Sequence, residues 1–226
     1  MNVKRIAVIR TDFPEKFGIP RQSGLVRETV GRIEFEPPYN DERAIKGLEG
    51  FEYLWLLWRF DVPKNGEPRL TVRPPRLGGQ EEAGVFATRS PFRPNPIALS
   101  SVRLLRIEHT GHGPVLYVGG ADLRDQTEIL DIKPYLPFTD SHPEAKAGFT
   151  EEREFPELAV KFPDELLRLI PEEKQHAAVE LLRQDPRPAY ERSLDKTWGI
   201  SFAGCNIRFI VESGNLTVTS VSLNNK

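Results

Sequence analysis

The sequence predicts a mainly β fold: a compact antiparallel β-barrel over residues 1–140, followed by a small α+β domain. Two observations support this. Apolar, β-branched runs of strand length recur through the first 135 residues, most of them separated by Gly, Pro, Asn or Asp clusters. That spacing is typical of an antiparallel barrel or sandwich. Beyond residue 157, helix-type periodicity appears between strand-like runs instead.

Eight strands are predicted in the first part of the chain, over residues 3–9, 31–35, 51–60, 70–72, 84–88, 97–107, 114–118 and 129–132. A short helix interrupts them, with Asn40 or Asp41 as its N-cap and Gly50 at its end; Ala44, Ile45 and Leu48 are expected to face the core. His109 and His112 lie between two strand-like runs. They are therefore predicted to belong to a hairpin loop and not to a metal site.

The second part of the chain changes in character. Residues 141–157 are polar and charged without apolar periodicity, which predicts a linker. The domain over 158–226 begins with a strand at 158–162 and a helix capped by Asp164. Pro171 then opens a second helix, which carries two acids in its first turn. Strand-like runs follow at 199–202, 206–211 and 216–221.

Composition limits the class of protein. The chain has 226 residues, 38% of them apolar and 28% charged, with a net charge of −2, as in a globular protein. No apolar run approaches the roughly 20 residues that span a bilayer, and the N-terminus lacks a signal-peptide pattern. The single cysteine excludes intramolecular disulfides and Cys-rich zinc sites. We expect a cytoplasmic protein without a membrane partner.

The near-neutral charge conceals an asymmetry. Residues 1–110 contain 18 Lys/Arg against 14 Asp/Glu, and residues 111–226 contain 13 against 19. Between residues 70 and 106 there are six arginines, no lysine, and only Glu81 and Glu82 to oppose them. Arginine suits bidentate, stacking and phosphate contacts. This pattern favours docking to a structured polyanion, although a surface salt-bridge network would produce the same composition.

Residues 84–103, GVFATRSPFRPNPIALSSVR, carry three of these six arginines on a restricted backbone. Pro91, Pro94 and Pro96 fix φ near −65° and restrict the residues before them. Arg89, Arg93 and Asn95 are therefore held in place, which suits recognition of a carboxylate, a phosphate or a nucleobase edge. A solvated Pro-rich loop is the alternative interpretation.

Several enzyme classes lack their motifs here. The chain has no P-loop signature, no G-x-G-x-x-G after a strand and no parallel βαβ pattern, which argues against P-loop NTPases and Rossmann-type enzymes. Two polar clusters are candidate chemical groups. One is DLRD, formed by Asp122, Leu123, Arg124 and Asp125; the other combines Asp131, Lys133 and Tyr135. Their carboxylates could bind an amine or ribose hydroxyl, or accept a proton; turn capping is the alternative.

Seven segments, in this order, are similar to the TrmO family, also called TsaA-like or YaeB-like. They are PRQSGLV at 20–26, PPYN at 37–40, TVRPPRLGG at 71–79, GVFATRSPFRPNPIALS at 84–100, DLRD at 122–125, DIKPYLPF at 131–138 and DPRPAY at 185–190. Each segment alone is weak evidence, but the ordered set covers essentially the whole chain and is highly specific.

The resemblance implies a tRNA methyltransferase that uses S-adenosylmethionine. Because methyl transfer from a sulfonium to a nitrogen needs mostly in-line positioning, no metal is expected. The resemblance implies a compact β-barrel without the usual Rossmann fold, and homodimers that bind the cofactor near the subunit interface. The product is methylated at N6 of threonylcarbamoyladenosine, next to the anticodon. A non-catalytic RNA-binding or regulatory protein on the same scaffold, or a small-molecule methyltransferase, would share much of the pattern.

The resemblance also implies site residues. The cofactor-binding set is Pro20, Arg21, Gln22, Asp61, Val62, Arg89, Leu99, Asp122, Leu123, Arg124 and Asp125. Family members vary at the position of Asp61, so this assignment is the least specific. Candidate groups for the N6 proton are Asp131 and Tyr135, and candidate tRNA contacts are Arg93, Asn95, Lys133, Arg187 and Tyr190. Arg187 and Tyr190 are expected to project toward RNA; the alternative is a helix stop in which Tyr190 packs on Leu181 or Leu182.

Overall fold

The structure, a computed structural model, describes residues 3–61, 67–74, 77, 81–151, 157–188 and 196–224. Its strands are β1 (Ala7–Arg10), β2 (Val30–Phe35), β3 (Tyr53–Arg59), β4 (Thr71–Val72), β5 (Ala83–Gly84), β6 (Ile97–Thr110), β7 (Gly113–Gly119), β8 (Thr127–Pro134), β9 (Ala159–Lys161), β10 (Trp198–Phe202), β11 (Cys205–Glu212) and β12 (Asn215–Leu223). Its α-helices are α1 (Pro137–Asp140), α2 (Asp164–Leu167) and α3 (Glu172–Arg183).

Six strands close into an antiparallel barrel in the order β1-β2-β7-β6-β3-β8. Alternate residues of each strand point inward, as the period of two requires. On β3, for example, Leu54 and Leu56 are fully buried while Trp55 lies toward the outside. The predicted mainly β fold with an antiparallel barrel is therefore confirmed.

The second sheet has the order β10-β11-β12-β9, in which β9 runs parallel to β12 and the other pairs are antiparallel. Helix α3 covers its apolar face with Ala177, Ala178, Leu181 and Leu182, all buried. A separate two-stranded ribbon of β4 and β5 lies outside the barrel order. No helix in the described ranges combines the length and the apolar composition that crossing a bilayer requires.

The segment 11–29, between β1 and β2, contacts both halves of the molecule. Phe13 and Val26 are buried in the apolar core of the second sheet, where the Phe13 ring lies 5.4 Å from that of Phe202. On the barrel side, the Thr11 amide donates to the Asp125 carboxylate at 3.1 Å. This segment therefore joins the two sheets through side chains that precede the second sheet by more than a hundred residues.

Two predicted elements differ in the structure. The expected strand at 84–88 ends at Gly84, and the chain continues as the 3₁₀ helix Val85–Ala87. The expected helix after residue 40 is two 3₁₀ turns, Glu42–Ile45 and Leu48–Gly50, with Asp41 as the N-cap. Ile45 is buried as expected, but Ala44 is exposed, because a 3₁₀ turn repeats every three residues and places a narrower stripe against the core.

The predicted hairpin at EHTGHG is confirmed, but the predicted placement of His109 in its loop is wrong. β6 and β7 pair until Thr110 opposes Gly113, so the turn comprises Gly111 and His112. His109 belongs to the end of β6, where its Nδ1 lies 2.7 Å from a carboxylate oxygen of Glu42. Within the part of the chain that the structure describes, no group of three or more His, Cys, Asp or Glu side chains could hold a metal.

Phe13→Ala should lower the free energy of unfolding by about 3–5 kcal/mol, because it opens a cavity in the second core and releases the segment that joins the two sheets. Urea unfolding followed by fluorescence measures this. Phe138→Ala is the matched control, since Phe138 is 87% exposed and its removal should change stability by less than about 0.5 kcal/mol. Equal losses in the two variants would show that Phe13 does not anchor the segment.

Candidate functional site

A cavity of about 1280 Å³ brings together residues that lie far apart in the sequence. Its lining comes from four parts of the chain, namely residues 21–22, 69–74, 82–92 and 147–150. Arg21, Gln22 and Arg89 all lie on it, and the Arg89 guanidinium donates a hydrogen bond to the side-chain oxygen of Gln22. Three of the residues that the family motifs indicate for the cofactor therefore share one cavity.

The backbone that carries Arg89 is fixed by hydrogen bonds as well as by prolines. Arg93 Nη1 donates to the carbonyl oxygens of Val85 at 3.0 Å and of Thr88 at 2.7 Å. The Thr88 hydroxyl donates to the same Val85 carbonyl, at 2.9 Å. These contacts close the turn from which Arg89 projects. Arg93, expected from the sequence to contact RNA, thus uses one guanidinium nitrogen to hold the loop.

Asp122 is a largely buried carboxylate beside this cavity wall. Its Oδ1 accepts a hydrogen bond from the Ser100 hydroxyl at 2.6 Å, and Ser100 in turn accepts from the Trp58 indole N–H at 2.9 Å. Burial raises the pKa of Asp122 above its ordinary value of 3.8. Hydrogen bonds from Ser100 and from the backbone, and the nearby charge of Arg89, oppose that rise. Asp122 is therefore a desolvated carboxylic acid close to the Arg89 guanidinium.

The rest of the DLRD segment holds neighbouring loops. Arg124 Nη1 lies 2.8 Å from a carboxylate oxygen of Asp61. Asp125 accepts from the Thr11 amide, and the carbonyl of Leu123 accepts from the Thr11 hydroxyl at 2.9 Å. The Leu123 side chain is fully buried in the barrel core, so only its backbone can face a ligand. Val62 lies outside the described residues.

Arg21 also contacts the segment that follows α3. Its Nη2 donates to the carbonyl oxygens of Asp185 at 3.2 Å and Arg187 at 3.0 Å. The Arg187 guanidinium donates two hydrogen bonds to the Asp185 carboxylate, of 2.7 and 3.0 Å. Arg187 is only 5% exposed. The expectation that Arg187 projects into solvent is therefore wrong, because the neighbouring Asp185 supplies a bidentate partner inside the fold. Tyr190 lies outside the described residues.

Leu99, Asp131 and Lys133 lie on the outer face of the barrel, whereas Asn95 is exposed in the loop before β6 and Pro20 is buried in segment 11–29. Leu99 on β6, Leu57 on β3 and Asp131 on β8 oppose one another across three adjacent strands. Asp131 pairs with Lys133 at 2.8 Å, and the ring of Tyr135 packs 5.5 Å from that of Trp55. The cavity lining includes neither Asp131 nor Tyr135.

Neither Ser100 nor Trp58 is among the site residues expected from the sequence. Their signal is nevertheless present in the strand pattern. On β6, Ala98, Ser100 and Val102 point inward, and Ser100 is only 1% exposed. A hydroxyl at an inward position of an alternating strand needs a buried partner. Here that partner is Asp122, from the loop after β7.

Comparisons with known proteins agree with this architecture. Family models for the tRNA-methyltransferase O N-terminal domain and the TrmO C-terminal domain match residues 8–141 and 155–224. The chain is 42% identical over 223 residues to the tRNA (adenine(37)-N6)-methyltransferase of Escherichia coli K12, covering 95% of each chain. It is 41% identical over 172 residues to the protein of that name from Eikenella corrodens, covering 76% of this chain and 97% of the relative.

A solved structure has the same fold. The crystal structure of TrmO from Pseudomonas aeruginosa superposes with a TM-score of 0.80 at 32% sequence identity, covering 99% of this chain and 97% of that one. A relative named as a putative S-adenosylmethionine-dependent methyltransferase, from Pseudomonas aeruginosa PAO1, is 42% identical over 198 residues, 84% of each chain. These matches span both sheets.

The raised pKa of Asp122 predicts a pH dependence of stability. The folded state binds this proton more tightly than the unfolded state, so its contribution to stability is present below the ordinary pKa of 3.8 and is lost as pH rises toward the raised value. Asp122→Asn lacks the titration. The free energy of unfolding of the parent minus that of the variant should therefore fall with rising pH in this window, as measured by urea unfolding at several pH values.

Ser100→Ala provides the internal control for Asp122. It removes the hydrogen bond that favours the ionised carboxylate, so the window should extend to higher pH. A difference between parent and Asp122→Asn that does not vary with pH would show that Asp122 is not desolvated in the folded protein.

Proposed function

The chain belongs to the TrmO family of tRNA methyltransferases, and we propose that it transfers a methyl group from S-adenosylmethionine to N6 of adenosine 37 in tRNA. We further propose that the acceptor is the threonylcarbamoyl form of that adenosine and that the reaction takes place in the cytoplasm. The observation that supports the proposal most is the convergence of Arg21, Gln22 and Arg89 on one cavity, with the partly buried Asp122 close enough to Arg89 to interact with its charge.

The residues present suit S-adenosylmethionine. The cofactor carries a carboxylate, an ammonium, a sulfonium, a ribose diol and an adenine. Guanidinium groups of Arg21 and Arg89 are suited to the carboxylate, and the Asp122 carboxylate is suited to an ammonium or to hydroxyl donors. A cavity of about 1280 Å³ is large enough, since small-molecule pockets commonly measure about 300–1000 Å³. The donor set therefore fits this cofactor without a metal.

The chemistry that the cofactor supplies is an electrophilic methyl group: its carbon–sulfur bond breaks as the carbon–nitrogen bond forms, the sulfonium becomes a neutral thioether, and N6 gives up a proton. The protein contributes by positioning the cofactor and the acceptor nitrogen. Arg89 and Gln22 hold one another on fixed loops, which limits the search for the in-line geometry. Asp122 lies within electrostatic reach of Arg89.

We propose Asp131 as the acceptor of the N6 proton, because it lies on the barrel face that carries Leu99, with Tyr135 near it, because the Tyr135 ring packs against Trp55 on that face. Asn95 and Lys133 are proposed RNA contacts, and Leu99 is a proposed cofactor contact. Arg187 and Arg93 hold loops in the fold. Asp61, Arg124 and Asp125 order the loops that border the cofactor, and Pro20 sets the backbone before Arg21.

The proposed reaction can be tested with purified components. The wild-type chain, S-adenosylmethionine and tRNA carrying threonylcarbamoyladenosine should yield the N6-methylated nucleoside by mass spectrometry. Arg89→Ala should weaken cofactor binding measured by calorimetry about ten- to a hundredfold, since loss of a charged hydrogen-bond partner costs about 1.5–3 kcal/mol.

Arg106→Ala is the matched control for Arg89. Its guanidinium stacks on Tyr117 at 3.4 Å on the barrel surface, outside the cavity lining. Cofactor affinity should be unchanged in this variant. Absence of the methylated nucleoside with the wild-type chain would overturn the proposed reaction, and equal cofactor affinity in all three proteins would remove Arg89 from the site.

We also propose a homodimer formed through the barrel. The outer face of β3 and β6 exposes Tyr53, Ile97 and Leu99, each 39–48% accessible, as an apolar surface beside proposed cofactor residues. Light scattering at micromolar concentration should give twice the chain mass of 25.7 kDa. An active monomer would contradict a shared site.

A further inference from the structure

The cavity is larger than one small molecule requires. Its volume of about 1280 Å³ exceeds the range of about 300–1000 Å³ common for single ligands. Arg21, Gln22 and Arg89 account for part of its lining only. The rest includes Arg69, Arg73, Phe86 and Phe92, to which the cofactor assignment gives no role.

Phe86 is an exposed ring on a rigid support. Phe86 is 75% exposed, whereas the neighbouring Val85 is buried. The 3₁₀ turn Val85–Ala87 is held by the backbone hydrogen bond from Val85 N to Leu70 O and by the Arg93 guanidinium, which binds the Val85 carbonyl. A phenylalanine kept in water by a fixed backbone leaves apolar area uncovered, and such area on a folded protein commonly marks a binding surface.

One arginine lies near this ring, and others line the same cavity. The Arg93 guanidinium lies 5.6 Å from the Phe86 ring centroid, and that of Arg69 lies 4.4 Å from the centroid of Phe92. Arg73 also lines the cavity and pairs with Glu82 at 3.4 Å. Among the lining residues, four arginines face one carboxylate, Glu82, so the cavity is cationic. A flat apolar ring inside a cationic cavity is complementary to a nucleobase attached to phosphates.

We propose that Phe86 is a stacking platform for an unstacked nucleobase of the anticodon loop, with Arg69 and Arg73 binding the adjoining phosphates. The proposal rests on the proposed function, because it names how the same site holds its RNA. Single-stranded RNA is recognised by stacking of splayed bases on aromatic rings and by arginine contacts to phosphate. Chemistry on a base edge also requires the base to leave its stack.

The test compares Phe86→Ala, Phe86→Leu and Phe86→Trp with the parent. A fluorescently labelled anticodon stem-loop RNA is the probe, and anisotropy measures its affinity independently of turnover. Stacking contributes about 1–3 kcal/mol per base, so Phe86→Ala should weaken binding about 5- to 150-fold. Phe86→Leu should resemble Phe86→Ala, because it retains apolar bulk without a π face, and Phe86→Trp should bind like the parent. Cofactor affinity should stay unchanged in all three.

Phe138→Ala is the control for removal of an exposed phenylalanine outside the cavity, and should bind the stem-loop like the parent. Parental affinity in Phe86→Ala, or equal affinity in Phe86→Leu and Phe86→Trp, would overturn the stacking proposal. A halved mass of Phe86→Ala in light scattering would overturn it in favour of a contact between copies of this chain. A parent that binds the stem-loop but does not methylate tRNA carrying threonylcarbamoyladenosine would instead overturn the proposed function, while the comparison among Phe86 variants would still decide the stacking role.

Discussion

The seating of segment 11–29 against both sheets is the constraint on which the candidate site depends. Phe13 lies in the apolar core of the second sheet. The Asp12 carboxylate forms an ion pair with Lys174 of α3, at 2.6 Å. The same segment then delivers Arg21 and Gln22 to the cavity. Because buried apolar contacts and a charge pair fix both sides of it, the loop residues between them have few conformations left to lose when a ligand binds.

The desolvated Asp122 carboxylate lowers the stability of the folded protein but prepares the site to bind a ligand. Asp122 is desolvated, and its raised pKa means that ionising it costs the folded protein stability. The Trp58–Ser100–Asp122 chain of hydrogen bonds offsets part of that cost and fixes the direction of the carboxylate. A charge held in this way requires little reorganisation when an oppositely charged group arrives. The folded protein is therefore destabilised at Asp122, where the ammonium of the cofactor is proposed to bind.

Much of the fold followed from local pattern. Alternation of apolar residues located the barrel strands and the hairpin at Thr110 and Gly113, because one face of each strand is buried. The pattern failed at residues 84–88, where Val85 and Phe86 look like strand residues. There Val85 is buried but Phe86 points into solvent, and hydrogen bonds from the distant Arg93 side chain and to Leu70 stabilise a 3₁₀ turn instead.

The sequence by itself determined the strand periodicity, the cationic Pro-bounded segment and the ordered motifs, since each depends on residues close together in the chain. Only the tertiary structure decided that Ser100 faces Asp122, that Arg21 binds the carbonyls of Asp185 and Arg187, and that Arg187 is buried. The physical reason is that the pairing of Ser100 with Asp122 and those of Arg21 with the two carbonyls join residues 22 to 166 positions apart, and the burial of Arg187 depends on the same packing. Their partners are chosen by how the two sheets pack on segment 11–29, and no local propensity specifies that packing.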